Sequence, residues 1–394
     1  MSTGTMLINV PLQLREWSEV EVGDLGTFVN GYPFKPTELT NAQGTPVVRI
    51  QNLTDPSKPF NFFAGTIDDR YRLHKGDLLI SWSASLDAFI WNGPDAWLNQ
   101  HIFRVTPNTD IVDPDFLYFL MKREIRQIAL SARGSTMKHV TGRIFREHHV
   151  RIPPIDVQKQ IARTLLTIQR SCRTAINQFD AYEVTTRIIM SQLFSAYAER
   201  LVPLRELLSH PLRNGYSPVA NSVGTIRVLT LSAVTKNAFT EENTKLCIPE
   251  GRQIEDLWLK PGDILVERAN TPSLVGTAAL YNGAPDWAIF PDLVIRVRLD
   301  SSLLKPEILN EYLKLPHVRA YFSSNARGSA VSMSKIDHRI VSELPVPWPS
   351  DQKQQEMLQV ISAMHLVSNA ALGKVRALDK VFQASLRYLF GEQP

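Results

Sequence analysis

The sequence predicts an α+β protein: two globular domains with mixed sheets, separated and followed by long helices that pair as an antiparallel coiled coil. Three observations predict it. A series of short motifs occurs twice in the same order, Gly-Asp turns lead into short apolar runs, and each copy ends in a proline-free stretch with apolar residues at heptad spacing.

The elements follow in order. Arg72-Leu73-His74-Lys75-Gly76-Asp77 before Leu78-Leu79-Ile80 reads as a turn entering a strand, and Lys260-Pro261-Gly262-Asp263 before Ile264-Leu265-Val266 repeats it. Ile102-Phe103-Arg104-Val105 corresponds to Val294-Ile295-Arg296-Val297. Asp113-Pro114-Asp115-Phe116-Leu117 and Lys305-Pro306-Glu307-Ile308-Leu309 each open a helix. Ala132-Arg133-Gly134-Ser135 recurs as Ala326-Arg327-Gly328-Ser329. Ile152-Pro153-Pro154 and Gln158-Lys159-Gln160 recur as Val346-Pro347-Trp348 and Gln352-Lys353-Gln354. The offset grows from 186 at Gly-Asp through 192 to 194, as insertions in loops produce. Any one match is weak; the ordered series is not.

Between Ile155 and Val202 there is neither proline nor glycine, and Ile161, Leu165, Ile168, Cys172, Ala175, Phe179, Tyr182, Ile189 and Leu193 form one stripe. A helix over 155–199 is roughly 65 Å long. From Ser350 to Phe390 the stripe recurs through Ile361, Met364, Ala371, Leu372, Val375, Leu378, Phe382 and Leu389, with Gly373 as a weak turn. Each stripe outlasts one small domain, so the two helices are expected to cover one another. The domains expected are 1–153 and 201–347, globular, with spacer helices at 154–200 and 348–394.

Composition narrows the function. A length of 394 residues with 44% hydrophobic and 21% charged residues suits an ordered multidomain chain. No apolar run approaches a membrane span and the amino terminus does not read as a signal peptide, so a cytoplasmic location without membrane contact is expected. Two isolated cysteines, Cys172 and Cys247, exclude a cysteine-rich zinc site. The net charge of +4 is spread thinly: residues 1–150 carry 15 basic and 16 acidic side chains, and 201–347 carry 16 and 15. A phosphate-binding surface must therefore be a local patch.

The duplicated order of globular domain and long helix, with the Gly-Asp strand, the Gly-Ser turn and the proline-rich exit before Gln-Lys-Gln, resembles the DNA-specificity subunit of type I restriction–modification systems. The resemblance covers nearly the whole chain. It implies two target-recognition domains, 1–153 and 201–347, each reading one half of a split, asymmetric sequence in double-stranded DNA. It further implies spacer helices that set the distance between the halves and dock two methylation subunits and, through them, the restriction subunits. S-adenosylmethionine, ATP and Mg are then expected on those partner subunits. No catalytic residue, metal or cofactor is expected on this chain.

Phosphate contacts position a protein on DNA and base-edge contacts specify sequence. The stretch from Lys122 to Arg146 is a basic patch, within which Arg133, Ser135, Lys138, Arg143 and Arg146 are the candidate contacts. Its counterpart, Arg319 to Arg339, holds Arg319, Arg327, Lys335 and Arg339 against Asp337, with Arg327, Ser329, Lys335 and Arg339 as the candidate contacts. Glycine beside arginine and serine permits close approach to a phosphate. Base reading is expected from the segments least alike in the two copies. These are Ser81, Ser83 and Ser85 in the first and Arg268, Asn270 and Thr271 in the second, with Gln51 and Asn52 as amides able to pair with adenine. Trp82 reads as a loop anchor.

Two other classes fit less well. A DNA methyltransferase or nuclease needs a Gly-x-Gly cofactor turn, an Asn/Asp-Pro-Pro-aromatic motif or a paired acidic site. The chain has no Gly-x-Gly, and its one Pro-Pro lies in Ile152-Pro153-Pro154-Ile155, with no polar or aromatic neighbour. His148-His149 lacks a third metal ligand at usable spacing. A coiled-coil adaptor without a DNA role leaves two globular copies unexplained.

Overall fold

The Gly-Asp turns form in both copies by the same bonds. Asp77 Oδ2 accepts the His74 amide at 2.8 Å, and Asp263 Oδ2 accepts the Lys260 amide at 2.8 Å. Gly76 (φ +100°) and Gly262 (φ +92°) occupy the left-handed region, where a side chain is strained. Their amides donate to Trp91 O and Tyr281 O across the following hairpin. The computed structural model describes residues 17–131, 142–197, 200–249, 251, 253–328 and 333–391. The chain divides into two compact units, Met1–Ile176 with Lys374–Pro394, and Asn177–Gly373.

The first unit contains β1 (Ser18–Glu21), β2 (Gly26–Asn30), β3 (Thr45–Val48), α1 (Ile50–Thr54), β4 (Asn61–Phe63), β5 (Arg72–Leu73), β6 (Leu78–Ser81), β7 (Asp87–Ile90), β8 (Ala96–Leu98) and β9 (Ile102–Pro107). Then come α2 (Pro114–Ser131), α3 (Gly142–Arg146), β10 (His149–Ile152) and the start of α4 (Ile155–Ala196). An antiparallel sheet has the order β2-β9-β6-β7. A mixed sheet has the order β4-β3-β8-β5, with β3 and β8 parallel. β1 pairs with β10, Ser18 opposite Ile152, so the ends of the globular part close on each other. The alternate burial of Val150 and Ile152 faces the core that holds Phe116, Phe119 and Phe145.

The second unit runs through β11 (Leu201–Pro203), β12 (Arg213–Asn214), β13 (Ile226–Leu229), α5 (Leu231–Thr235), β14 (Thr244–Cys247), β15 (Ile264–Glu267), β16 (Ala269–Asn270), β17 (Ala278–Leu280) and β18 (Val294–Val297). It continues with α6 (Pro306–Leu313), α7 (Pro316–Asn325), β19 (Ser334–Lys335), α8 (His338–Ser342), β20 (Pro345–Pro347) and the first part of α9 (Asp351–Leu389). Its main sheet, β12-β18-β15-β17, is antiparallel, and β11 pairs with β20 as β1 does with β10.

A buried glutamine ties each long helix to its own unit. Gln158 Oε1 accepts the Asp113 amide at 2.9 Å, while Nε2 donates to Ile111 O and Pro153 O at 3.0 and 2.8 Å. Gln354 Oε1 accepts the Lys305 amide at 3.0 Å, and Nε2 donates to Leu303 O and Pro349 O at 2.9 and 3.1 Å. This corrects one register. The Gln-Lys-Gln identity sets Gln158 against Gln352, but Gln352 is exposed, and the equivalent of Gln158 is Gln354, 196 residues on. What aligns the copies is an amide able to reach a carbonyl five residues back.

α4 spans 42 residues and α9 39. In the first unit, Ile161 and Leu165 of α4 share a core with Phe382, Leu386, Leu389 and Phe390 of α9, and Phe390 stacks on Phe116 at 5.2 Å. In the second, Tyr182 Oη donates to Met364 O at 2.7 Å and Tyr197 Oη to Glu356 Oε2 at 2.9 Å. Partners descend α9 as they ascend α4, which is antiparallel pairing. The expected stripe is buried or half-buried throughout. Ala162, Met190, Phe194, Met357, Leu386 and Phe390, outside that stripe, are buried as well.

Candidate nucleic-acid interface

In the second unit, β15 is apolar for three residues and then presents Glu267, fully buried. Its carboxylate accepts from Thr235 Oγ1 and, at 2.6 Å, from Asn270 Nδ2. Burial pushes the Glu267 carboxyl above its ordinary value, opposed by those two hydrogen bonds and by the Arg319 charge. Asn270 Oδ1 accepts the Thr271 amide at 2.8 Å, and Arg319 Nη2 donates to Ser273 O at 3.0 Å. The loop from Arg268 to Ser273 is thus held from beneath by a buried carboxylate and a half-buried arginine.

The same loop recruits the chain's later candidates. β16 pairs with β19, Ala269 opposite Lys335 and Asn270 opposite Ser334. Arg327 and Lys335 exchange backbone hydrogen bonds at 2.8 and 2.9 Å, and the Ile336 amide donates to Arg268 O. Asp337 Oδ1 caps α8 through the Ile340 amide at 2.9 Å, which places Arg339 in its only turn. Arg268, Asn270, Thr271, Arg327, Lys335 and Arg339 therefore converge on one small ribbon, with Thr271, Arg327, Lys335 and Arg339 exposed and Arg268 and Asn270 half-buried. His338 beside them lies 2.9 Å from Asn214 Oδ1. Its pKa is lowered by burial and by the Arg268 charge, against the pull of Asp337.

The first unit is arranged differently. Ser81, at the position of Glu267, is buried and bonded to the backbone of Ser85 and Asp87; Ser83 is buried and Ser85 exposed. The loop turns at Ala84, in the left-handed region at φ +56°. Trp82 anchors it as expected, with Nε1 on Asn30 Oδ1 at 3.1 Å and its ring 6.0 Å from Phe103, itself 5.5 Å from Phe145 of α3. That aromatic series joins the serine loop to Arg143 and Arg146, which are exposed. Gln51 is exposed on α1, apart from this cluster. The amide of Asn52 is committed to the chain: Oδ1 accepts the Arg49 amide, and Nδ2 donates to Lys58 O and Pro59 O at 3.1 and 3.2 Å. Arg133, Ser135, Lys138 and Ser329 lie outside the described residues.

The basic stretch of the first unit is partly neutralised from within. Lys122 Nζ bonds both Asp87 oxygens at 2.8 and 2.9 Å, Arg123 pairs with Glu124, and Arg143 Nε with Glu147 at 2.7 Å. Glu147 in turn raises the Arg143 pKa. Arg319, read from the sequence as part of a phosphate patch, and Glu267, read as the start of the base-reading loop, are instead positioning residues that hold the loop. The signal for Glu267 is a carboxylate closing an otherwise apolar strand.

Two units with the same hairpin turn, the same glutamine tie and the same share of two long helices define a duplicated α+β scaffold whose polar loops emerge at equivalent strand ends. Residues 15–180 match the family model described as the type I restriction modification DNA specificity domain. The chain is 26% identical over 153 residues to the EcoBI specificity subunit of Escherichia coli, which is 39% of this chain and 32% of that one. It is 23% identical over 185 residues to the MjaVIII specificity subunit of Methanocaldococcus jannaschii, covering 46% and 42%. The chain thus spans between about a third and two fifths of the length of these curated relatives. Two solved structures share the fold along nearly the whole chain. One comes from work on complex assembly of the type I R-M system, with TM-score 0.59, 15% identity and 96% and 98% of the two chains covered. The other is the S subunit of the type I restriction–modification system from M. genitalium, with TM-score 0.54, 12% identity and 96% and 97% covered. Among the described residues no helix is long and apolar enough to cross a membrane.

Proposed function

We propose that the chain is the sequence-reading subunit of a type I restriction–modification complex, acting in the cytoplasm and binding a bipartite, asymmetric site in double-stranded DNA. One observation carries the reading. At one equivalent strand end the two units hold unlike loop foundations, Ser81 in the first and Glu267 in the second, on otherwise matched frames. A frame kept alike with loops made different is what reading two different half-sites requires.

The chain itself contributes geometry and selectivity. In the second unit, exposed Arg327, Lys335 and Arg339 engage phosphates while Arg268, Asn270 and Thr271 meet base edges. In the first, Arg143 and Arg146 take the phosphate role beside Ser83 and Ser85. Two methylation subunits dock on the scaffold and supply S-adenosylmethionine-dependent methyl transfer, and restriction subunits joined through them supply ATP- and Mg-dependent cleavage. The chain is non-catalytic in this scheme.

The test exchanges residues 1–150 for those of another family member and maps modified adenines in the DNA of a host expressing the partner subunits. Only one half of the split motif is expected to change. A change in both halves refutes the two-reader arrangement.

A further inference from the structure

The two units differ at one place that DNA reading does not use. In the first, Tyr118 of α2 is 7% exposed, and its hydroxyl accepts from Gln169 Nε2 at 2.8 Å. Its ring fills the space between α2 and α4, with Lys122 Nζ 5.7 Å from the centroid. The equivalent helix of the second unit is α6, whose fixed points (Lys305 for Asp113, Lys314 for Lys122) stand 192 residues on. Tyr118 there becomes Asn310, Phe119 becomes Glu311, and Gln169, by the helix offset of 196, becomes His365.

Loss of the ring leaves a cavity of about 390 Å³, lined by Asn282, Glu307, Asn310, Glu311, Lys314 and His365 among others. Asn310 is 5% exposed, and its Oδ1 has no hydrogen-bond partner among the described residues. Its Nδ2 donates to Glu311 Oε1 at 3.3 Å. The same carboxylate takes Lys314 Nζ at 2.5 Å and lies 3.1 Å from His365 Nε2. A buried amide oxygen without a donor is costly, and its neighbourhood favours positive charge, since two carboxylates face one ammonium and one imidazole.

We infer that this cavity of the second unit binds a guanidinium group. A flat fork of N–H donors can bond the Asn310 oxygen and the Glu311 carboxylate together, which a compact ammonium does less well. The tyrosine ring that occupies the equivalent space in the first unit shows that a planar group suits it. The α9 wall of the cavity also presents Leu358 and Ile361, so apolar neighbours of an arginine find partners beside the polar lining. The site is independent of which DNA the units read.

Calorimetric titration of the full chain with L-argininamide tests this. Saturable binding is expected, at least tenfold tighter than that of the neutral isostere L-citrullinamide. Asn310→Tyr, which restores the first unit's side chain, is expected to abolish it. Glu311→Gln keeps the shape and should weaken binding at least tenfold; it serves if the tyrosine variant misfolds. Tighter binding of acetyl-Leu-Arg-Leu-amide than of argininamide assigns the site to a protein partner, and equal binding assigns it to a free guanidine; either supports the site. Equal affinity for citrullinamide, or undiminished binding by the tyrosine variant, overturns it.

Discussion

Replacing Gln158 or Gln354 by methionine keeps the length and most of the volume of the side chain while removing three hydrogen bonds in each case. At about 1 kcal/mol net for each buried neutral bond, the loss is about 3 kcal/mol. The carbonyls and the amide left behind have little access to water, which makes that figure a floor. A change of about 3 kcal/mol corresponds to roughly a 150-fold rise in the opening equilibrium. Native-state hydrogen exchange of the full chain reads this locally, on the amides of residues 116–121 for Gln158→Met and 308–313 for Gln354→Met. Gln352→Met is the control, since that side chain is exposed and makes a hydrogen bond within its own helix, Nε2 to Glu356 Oε1 at 3.3 Å. Its expected effect is under about 0.5 kcal/mol. A Gln352→Met effect equal to that of Gln354→Met would refute the two-residue register correction and the clamp together.

Two further outcomes follow from the interface. Because burial raises the Glu267 carboxyl above 4.5, the folded chain holds that proton more tightly than the unfolded chain. Its contribution to stability is full below the ordinary carboxylate range and is lost as pH rises through the raised value. Glu267→Gln should flatten that part of the profile, measured by exchange of the β15 amides between about pH 4 and 7; an unchanged profile rejects the buried charge as its source. If Arg327, Lys335 and Arg339 each meet a phosphate, the triple alanine variant in the assembled complex should reduce the slope of log affinity against log salt by about 2.7. A parallel line at lower affinity argues instead that they read bases or support the ribbon.

The repeat was legible because its marks are backbone devices. A left-handed glycine before an aspartate that caps its own turn looks the same wherever it occurs, as Gly76-Asp77 and Gly262-Asp263 do. The helix stripe was legible by period, yet the heptad pattern passed over Met190, Phe194, Leu386 and Phe390. These share clusters with the globular cores as well as with the opposite long helix, and no periodicity along one helix encodes the first of those contacts. Register at the helix starts was misread because identity of three letters competed with a hydrogen bond to a distant carbonyl. The candidate interface was half legible. Residues 268–271, 327 and 334–339 were picked separately, and strand pairing, a long-range fact, brings them together. Asn52 shows the opposite: its amide chemistry was visible, but its partners, six and seven residues away in a loop, were not.

The core of the first unit is written in two instalments. Phe382, Leu386, Leu389 and Phe390 close over Phe116 and Phe119, but they are translated about 200 residues after the rest of that unit. At about 5–20 residues per second, that is a wait of about 10–40 s during which an aromatic face has no cover. The second unit, contiguous in sequence from Asn177 to Gly373, has all its parts before the first has its last. The unit that begins the described chain is thus completed last, because the cover of Phe116 and Phe119 lies at the far end of α9.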